Sequence, residues 1–130
     1  MKKYEVAIAS FAVIFGCQAI VGSAYAMGLS FSWGSTPACS SSPPAFKVSA
    51  VPKGTKYLGF ELTDFDAPNF KHGGGIVGYT GKPFVPAGAF SYAGPCPPSG
   101  AHHYQWTVTA LDAGKREIGR ATASGIFPPR

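Results

Sequence analysis

Glycine and proline interrupt this chain too often for helices to form. They number 17 and 12 in 130 residues. Each proline removes a backbone donor and fixes φ. Each glycine raises the entropy lost on ordering. After residue 26 no stretch keeps a 3.6-residue apolar period for three turns. Short alternating runs bounded by turn residues recur instead, and these are strand signatures. The clearest is His103–Leu111, where Tyr104, Trp106, Val108 and Ala110 face one way and Gln105, Thr107, Thr109 and Leu111 the other. Tyr57–Thr63 alternates equally well, with Leu58, Phe60 and Leu62 on one face. Further strands are predicted at Leu29–Trp33, Ala45–Val51, Gly75–Tyr79, Ala89–Tyr92 and Glu117–Ser124, with an extended tail from Phe127. The fold class that follows is all-β, an antiparallel sandwich or barrel with little or no helix.

The first 26 residues read as a different kind of segment. Lys2 and Lys3 precede an almost wholly apolar run from Val6 to Ala24, and Ala24-Tyr25-Ala26 is a small-x-small cleavage site. That layout predicts a secretory signal peptide over 1–26 and a single β domain over 27–130. Two alternatives stay open: an uncleaved anchor, since the run approaches the ~20 residues of a spanning helix, and a lipoprotein through Cys17. The predicted location is periplasmic or secreted, without stable membrane insertion once the signal is cleaved.

Cys39 and Cys96 remain after residue 26, an even pair in an oxidising compartment. One disulfide is the simple reading, and two free buried thiols are the alternative. Closing so long a loop stabilises by about 4 kcal/mol in the chain-entropy model. Nine Lys/Arg against five Asp/Glu leave residues 27–130 at net +4. These charges are scattered, which argues against nucleic acid as a partner and allows only mild attraction to anions.

Three places carry chemistry. Asp64-Phe65-Asp66-Ala67-Pro68 directly follows a strand. As a turn it needs no further role, because Asp accepts backbone hydrogen bonds and Pro stiffens the exit. It also sets a carboxylate at a strand end near His72, which three glycines follow. The third place is the stiff loop Gly94-Pro95-Cys96-Pro97-Pro98, which leads into His102, His103 and Tyr104 at a strand mouth. No His-x-x-x-His helix, Cys-x-x-Cys pair or Gly-x-Ser-x-Gly elbow is present. The expectation is therefore a protein that is not an enzyme, with no cofactor, no metal and no catalytic residues.

Taken in order, these segments resemble the phosphatidylethanolamine-binding protein family in its bacterial, Raf kinase inhibitor-like branch. Cys39 to Pro44 is similar to that branch's Cys-x-x-x-x-Ser-Pro opening, and Ala50 to Lys56 to its Gly-x-Pro-x-Gly-Thr-Lys turn. Asp64 to Pro68 matches Asp-Pro-Asp-Ala-Pro with Phe65 in place of the first Pro. Gly94 to Pro98 matches Gly-Pro-Cys-Pro-Pro, and His102-His103-Tyr104 matches His-Arg-Tyr. The chain departs from the pattern by a shorter stretch between His72 and the Pro loop, and by Asp112 leading almost at once into the last strand.

The resemblance implies a shortened β-sandwich of that type with a small solvent-open pocket. It implies a small anion or phospholipid headgroup as ligand, bound by Asp64, His72, Gly94, Pro97, Pro98, His102 and Tyr104. Tyr92 is a weaker member of that wall. The alternative it implies is a protease-inhibitor or protein-interaction module with a protein partner, using Pro83–Pro86 or the Pro43-Pro44 loop as an exposed rigid segment.

Overall fold

A computed structural model of the chain describes residues 26–129. The signal-peptide, anchor and Cys17 expectations therefore lie outside the described residues. Seven strands run in chain order: β1 (Gly28–Phe31), β2 (Phe46–Ser49), β3 (Tyr57–Asp64), β4 (Gly74–Gly78), β5 (Phe84–Val85), β6 (His102–Leu111) and β7 (Glu117–Phe127). They form two antiparallel sheets, one ordered β1-β2-β5 and the other β4-β3-β6-β7. No helix occurs among the described residues. This is the all-β, two-sheet architecture expected from the sequence.

Alternation decides what lies between the sheets. Leu58, Phe60 and Leu62 of β3 and Trp106, Val108 and Ala110 of β6 are buried, as their period of two requires. From the small sheet, Phe46 stacks on Phe60 at 4.5 Å and meets Trp106 edge-on at 5.0 Å. Trp33 closes one end of this core, edge-on to Tyr104 at 5.9 Å and to Phe127 at 5.4 Å. Aromatic rings thus link the two sheets, each burying a large area with few rotatable bonds.

Gly75–Tyr79 is shifted by one residue to Gly74–Gly78, the last strand runs on from Ser124 to Phe127, and four further corrections are needed. Leu29–Trp33 is displaced to Gly28–Phe31, because Trp33 leaves the strand to fill the core. Ala45–Val51 is shortened to Phe46–Ser49, since Ala50 adopts a left-handed backbone (φ 48°) that ends the extended run. Ala89–Tyr92 is not a strand. Its contacts are isolated bonds, such as Tyr92 N–H to the Ser41 carbonyl at 3.1 Å. The sequence reading missed β5, whose two residues pair Phe46 with Val85 and Lys47 with Phe84. Two residues are too few to show alternation.

Glycine matters most in β4, the edge of the larger sheet. A Cβ on Gly75 would lie 2.5 Å from Cβ of Phe90, so a larger residue there displaces that ring from the core.

Tyr92 gives the fold a pH signature. Burial pushes its hydroxyl up to about 12, against an ordinary 10.0. Tyr104 is raised in the same direction by burial and then by the charge of Asp64. The folded state thus keeps protons that the unfolded chain releases above about pH 10. The associated stability is complete below pH 10.0 and is lost as pH rises through about 12. The urea midpoint should fall across that window, and Tyr92→Phe should flatten the fall. A midpoint indifferent to alkali would contradict this burial.

Candidate functional site

The inward stripes of β3 and β6 turn polar at the same end. Along β3 the buried series Leu58, Phe60, Leu62 continues to Asp64. Along β6 the series Ala110, Val108, Trp106 continues to Tyr104 and then to His102. The strands pair antiparallel with Leu62 opposite Trp106 and Asp64 opposite Tyr104, so the polar ends coincide. A cavity of about 180 Å3 opens there, lined by Asp64, Ala67, Phe70, His72, Cys96, Pro97, Pro98, His102 and Tyr104. Larger depressions, of about 300 and 410 Å3, lie over the small sheet and its flanking loops, but neither gathers a histidine or a carboxylate.

Asp64 organises this wall with both of its oxygens. Oδ1 accepts the backbone N–H groups of Asp66 at 2.9 Å and Ala67 at 3.1 Å, which makes the turn. Oδ2 lies 2.7 Å from Nδ1 of His102 and 3.9 Å from Nε2 of His72. The turn and site roles are therefore filled by different atoms of one side chain. Burial works to raise the Asp64 carboxyl, but the His102 hydrogen bond and charge and the two backbone donors outweigh it. The net result holds Asp64 below the usual carboxylate value.

His72 is buried, and its Nδ1 lies against the Ala93 carbonyl. A carbonyl only accepts, so Nδ1 carries the hydrogen and Nε2 is the ring nitrogen left without one in the neutral form. Nε2 has no hydrogen-bond partner among the described residues. Backbone bonding fixes the residue further, with Ala93 N–H donating to the His72 carbonyl at 2.9 Å.

The Pro loop forms the opposite wall. A Cys39–Cys96 disulfide ties it to the chain opening, and Cys39 N–H donates to the Pro95 carbonyl at 2.8 Å. The disulfide takes the simpler of the two cysteine readings. Cys96, Pro97 and Pro98 reach the cavity, and Gly94 does not. Gly94 packs instead on the Ser40 backbone, where any Cβ would clash. Its role is to permit that close approach.

Of the predicted set, the structure brings Asp64, His72, Pro97, Pro98, His102 and Tyr104 together. Tyr92 lies instead in the core, 5.1 Å from the Trp106 ring, with its hydroxyl buried and unpartnered. His103 alternates to the other face of the strand, where its Nδ1 lies 3.1 Å from Asp66 Oδ2. Ala67 and Phe70 complete the lining. The Phe70 ring sits 4.6 Å from His72 although the residue is 56% exposed. An aromatic two positions before His72 was the available signal for it.

Residues 76–127 match the family model described as phosphatidylethanolamine-binding protein. That span includes the Pro loop, His102 and Tyr104, and excludes Asp64 and His72. Among curated protein sequences none matches the chain significantly. Two solved bacterial structures share the fold. E. coli YbcL, described as a new member of the mammalian PEBP family, aligns with a TM-score of 0.56 at 21% identity over 69% of this chain and 82% of its own. A phosphatidylethanolamine-binding protein homologue from Chlamydia trachomatis, CT736, aligns with a TM-score of 0.60 at 19% identity over 81% of this chain and 99% of its own. The family match is carried by β4 to β7, and the two-sheet fold is shared with both solved structures, so the chain is similar to the phosphatidylethanolamine-binding protein family over residues 76–127 and has its fold.

Proposed function

We propose that this binding protein takes a small phosphate-type anion, free or as a lipid headgroup, in the Asp64–His72–His102 cavity, and that it does no chemistry on it. The observation that carries the reading is the pair of imidazoles facing a cavity of about 180 Å3 at the end of the core. In its protonated form His102 donates from Nε2 to a phosphate oxygen, while its Nδ1–H stays on Asp64, which orients the ring. The walls are strand ends and a disulfide-tied loop, so little ordering accompanies binding. We also propose export to the periplasm or beyond, supported by the Cys39–Cys96 bond, which persists in oxidising compartments. Of the two segments considered for protein inhibition, Pro43 and Pro44 are buried, whereas Pro83, Phe84 and Pro86 are exposed.

Inorganic phosphate and glycerophosphoethanolamine, titrated in chelator-treated buffer and followed on the imidazole resonances, test the reading. His72 and His102 should shift saturably while His103, on the other face, stays still. If no histidine responds, or if all three respond alike, the pocket is not an anion site.

A further inference from the structure

The edge of a sheet offers open backbone donors and acceptors to any extended chain, and folded proteins blunt such edges with charge, proline or shortness. At the outer strands of the two sheets, β1, β5 and β7 are blunted and β4 is not. β7 carries the paired charges of Glu117 and Arg120, and β1 packs against it. β5 is two residues long and lies between Pro83 and Pro86. β4 reads Gly74-Gly75-Ile76-Val77-Gly78, with no charge and no proline. Its hydrogen bonds show which side is open. Leu62 N–H donates to the Gly73 carbonyl at 3.0 Å, and Tyr79 N–H to the Lys56 carbonyl at 2.8 Å. In the register of β3 with β4, those bonds turn the odd-numbered residues toward β3. The N–H and C=O groups of Gly74, Ile76 and Gly78 therefore point away from the sheet. The chain covers that side before the strand, where Ala93 N–H takes the His72 carbonyl at 2.9 Å. From Gly74 to Gly78 no other segment bonds there among the described residues. Ile76 is 54% exposed, while Val77 beside it packs on the core.

We propose that β4 is a homodimer interface: two copies join antiparallel along this edge, about a two-fold axis at Ile76, into a continuous sheet twice as wide. A second copy is the occupant because the edge is its own complement. With Ile76 opposite Ile76 of the partner subunit, Gly74 stands opposite Gly78 of the partner subunit, and each open N–H meets an open carbonyl. Like charges directly opposite each other destabilise a strand pair. β4 carries none, so two chains that are each net positive can meet there without repulsion along the strand. On the outer face the two isoleucines become a cross-strand pair flanked by glycines. On the inner face Val77 of the partner subunit stands opposite Gly75, beside the half-buried Phe90 ring. The pairing uses no residue that lines the Asp64–His102 cavity.

Sedimentation equilibrium in phosphate-free buffer tests this apart from the anion reading. The apparent mass should rise with concentration from that of one chain toward double. Amide exchange at Ile76 and Gly78 should slow over the same range, which a dimer formed elsewhere on the surface does not cause. Ile76→Pro removes an N–H that the single chain does not use, at an edge position that tolerates proline. This variant should fold and keep the mass of one chain at every concentration. If it fails to fold, Ile76→Lys decides instead, because it sets two like charges face to face across the axis and should also abolish the doubling. A wild type that keeps the mass of one chain throughout overturns the proposal. So does a dimer that survives these changes or leaves the Ile76 amide exchanging freely.

Discussion

Asp64→Ala should lower unfolding free energy by about 2–3 kcal/mol, in the range for losing hydrogen bonds to a charged group, and should abolish phosphate response at His102. The carboxylate is 3% exposed and accepts two backbone N–H groups with one oxygen and the His102 ring with the other. The Ala variant removes the turn and the site together. Asp64→Asn separates them: its carbonyl can still accept the backbone donors of the turn, while the charge beside His102 is gone. The Asn variant is therefore expected to recover much of the stability and little of the binding.

The pH dependence of the same comparison has a definite sign. Asp64 is held below the ordinary aspartate value of 3.8, so the unfolded chain binds more protons there than the folded one. Its contribution is complete above about pH 3.8 and is lost as pH falls through the lower folded value. In chelator-treated buffer the stability gap between wild type and Asp64→Asn should narrow on acidification through that range. Asp66, Asp112 and Glu117 are lowered too, but they are common to both proteins and drop out of the difference. Equal gaps at neutral and strongly acid pH would mean the charge of Asp64 adds nothing to folding.

Replacing both Cys39 and Cys96 by Ser should cost about 4 kcal/mol, the chain-entropy value for a loop of this length. The bond joins residues 57 apart in sequence. Denaturant midpoints of the wild type with and without reductant, and of the double variant, check the figure. Cys96 also lines the cavity, so loosening it moves one wall. The phosphate affinity should fall in the folded double variant, and an unchanged affinity would show that the loop holds its shape without the bond.

Where the sequence was legible, a strand was long enough to repeat its period. β3 and β6 show four or more alternations each, and their buried faces were named residue by residue. β5 has two residues and shows none. The end of β2 depends on the backbone of Ala50, whose left-handed φ no side-chain pattern announces. The site followed the same division. Asp64, His102 and Tyr104 sit on the alternating strands or their ends, so period and order place them. Gly94 misled because its neighbours in the loop reach the cavity while it turns to Ser40. Phe70 escaped notice because a loop aromatic carries no periodicity.

The shared stripe of core and pocket also governs what the site refuses. Its floor, Tyr104, is wedged edge-on between the Trp33 ring at 5.9 Å and the His72 ring at 5.5 Å, one residue pair from the centre of the sandwich. A floor made of core cannot yield to a bulky guest without disturbing the packing of the sheets. At about 180 Å3 the cavity is smaller than the clefts of roughly 300–1,000 Å3 that hold drug-sized ligands. On the proposed reading, selection works by exclusion: a phosphate or the tip of a headgroup would enter, and whatever is attached to it would stay outside.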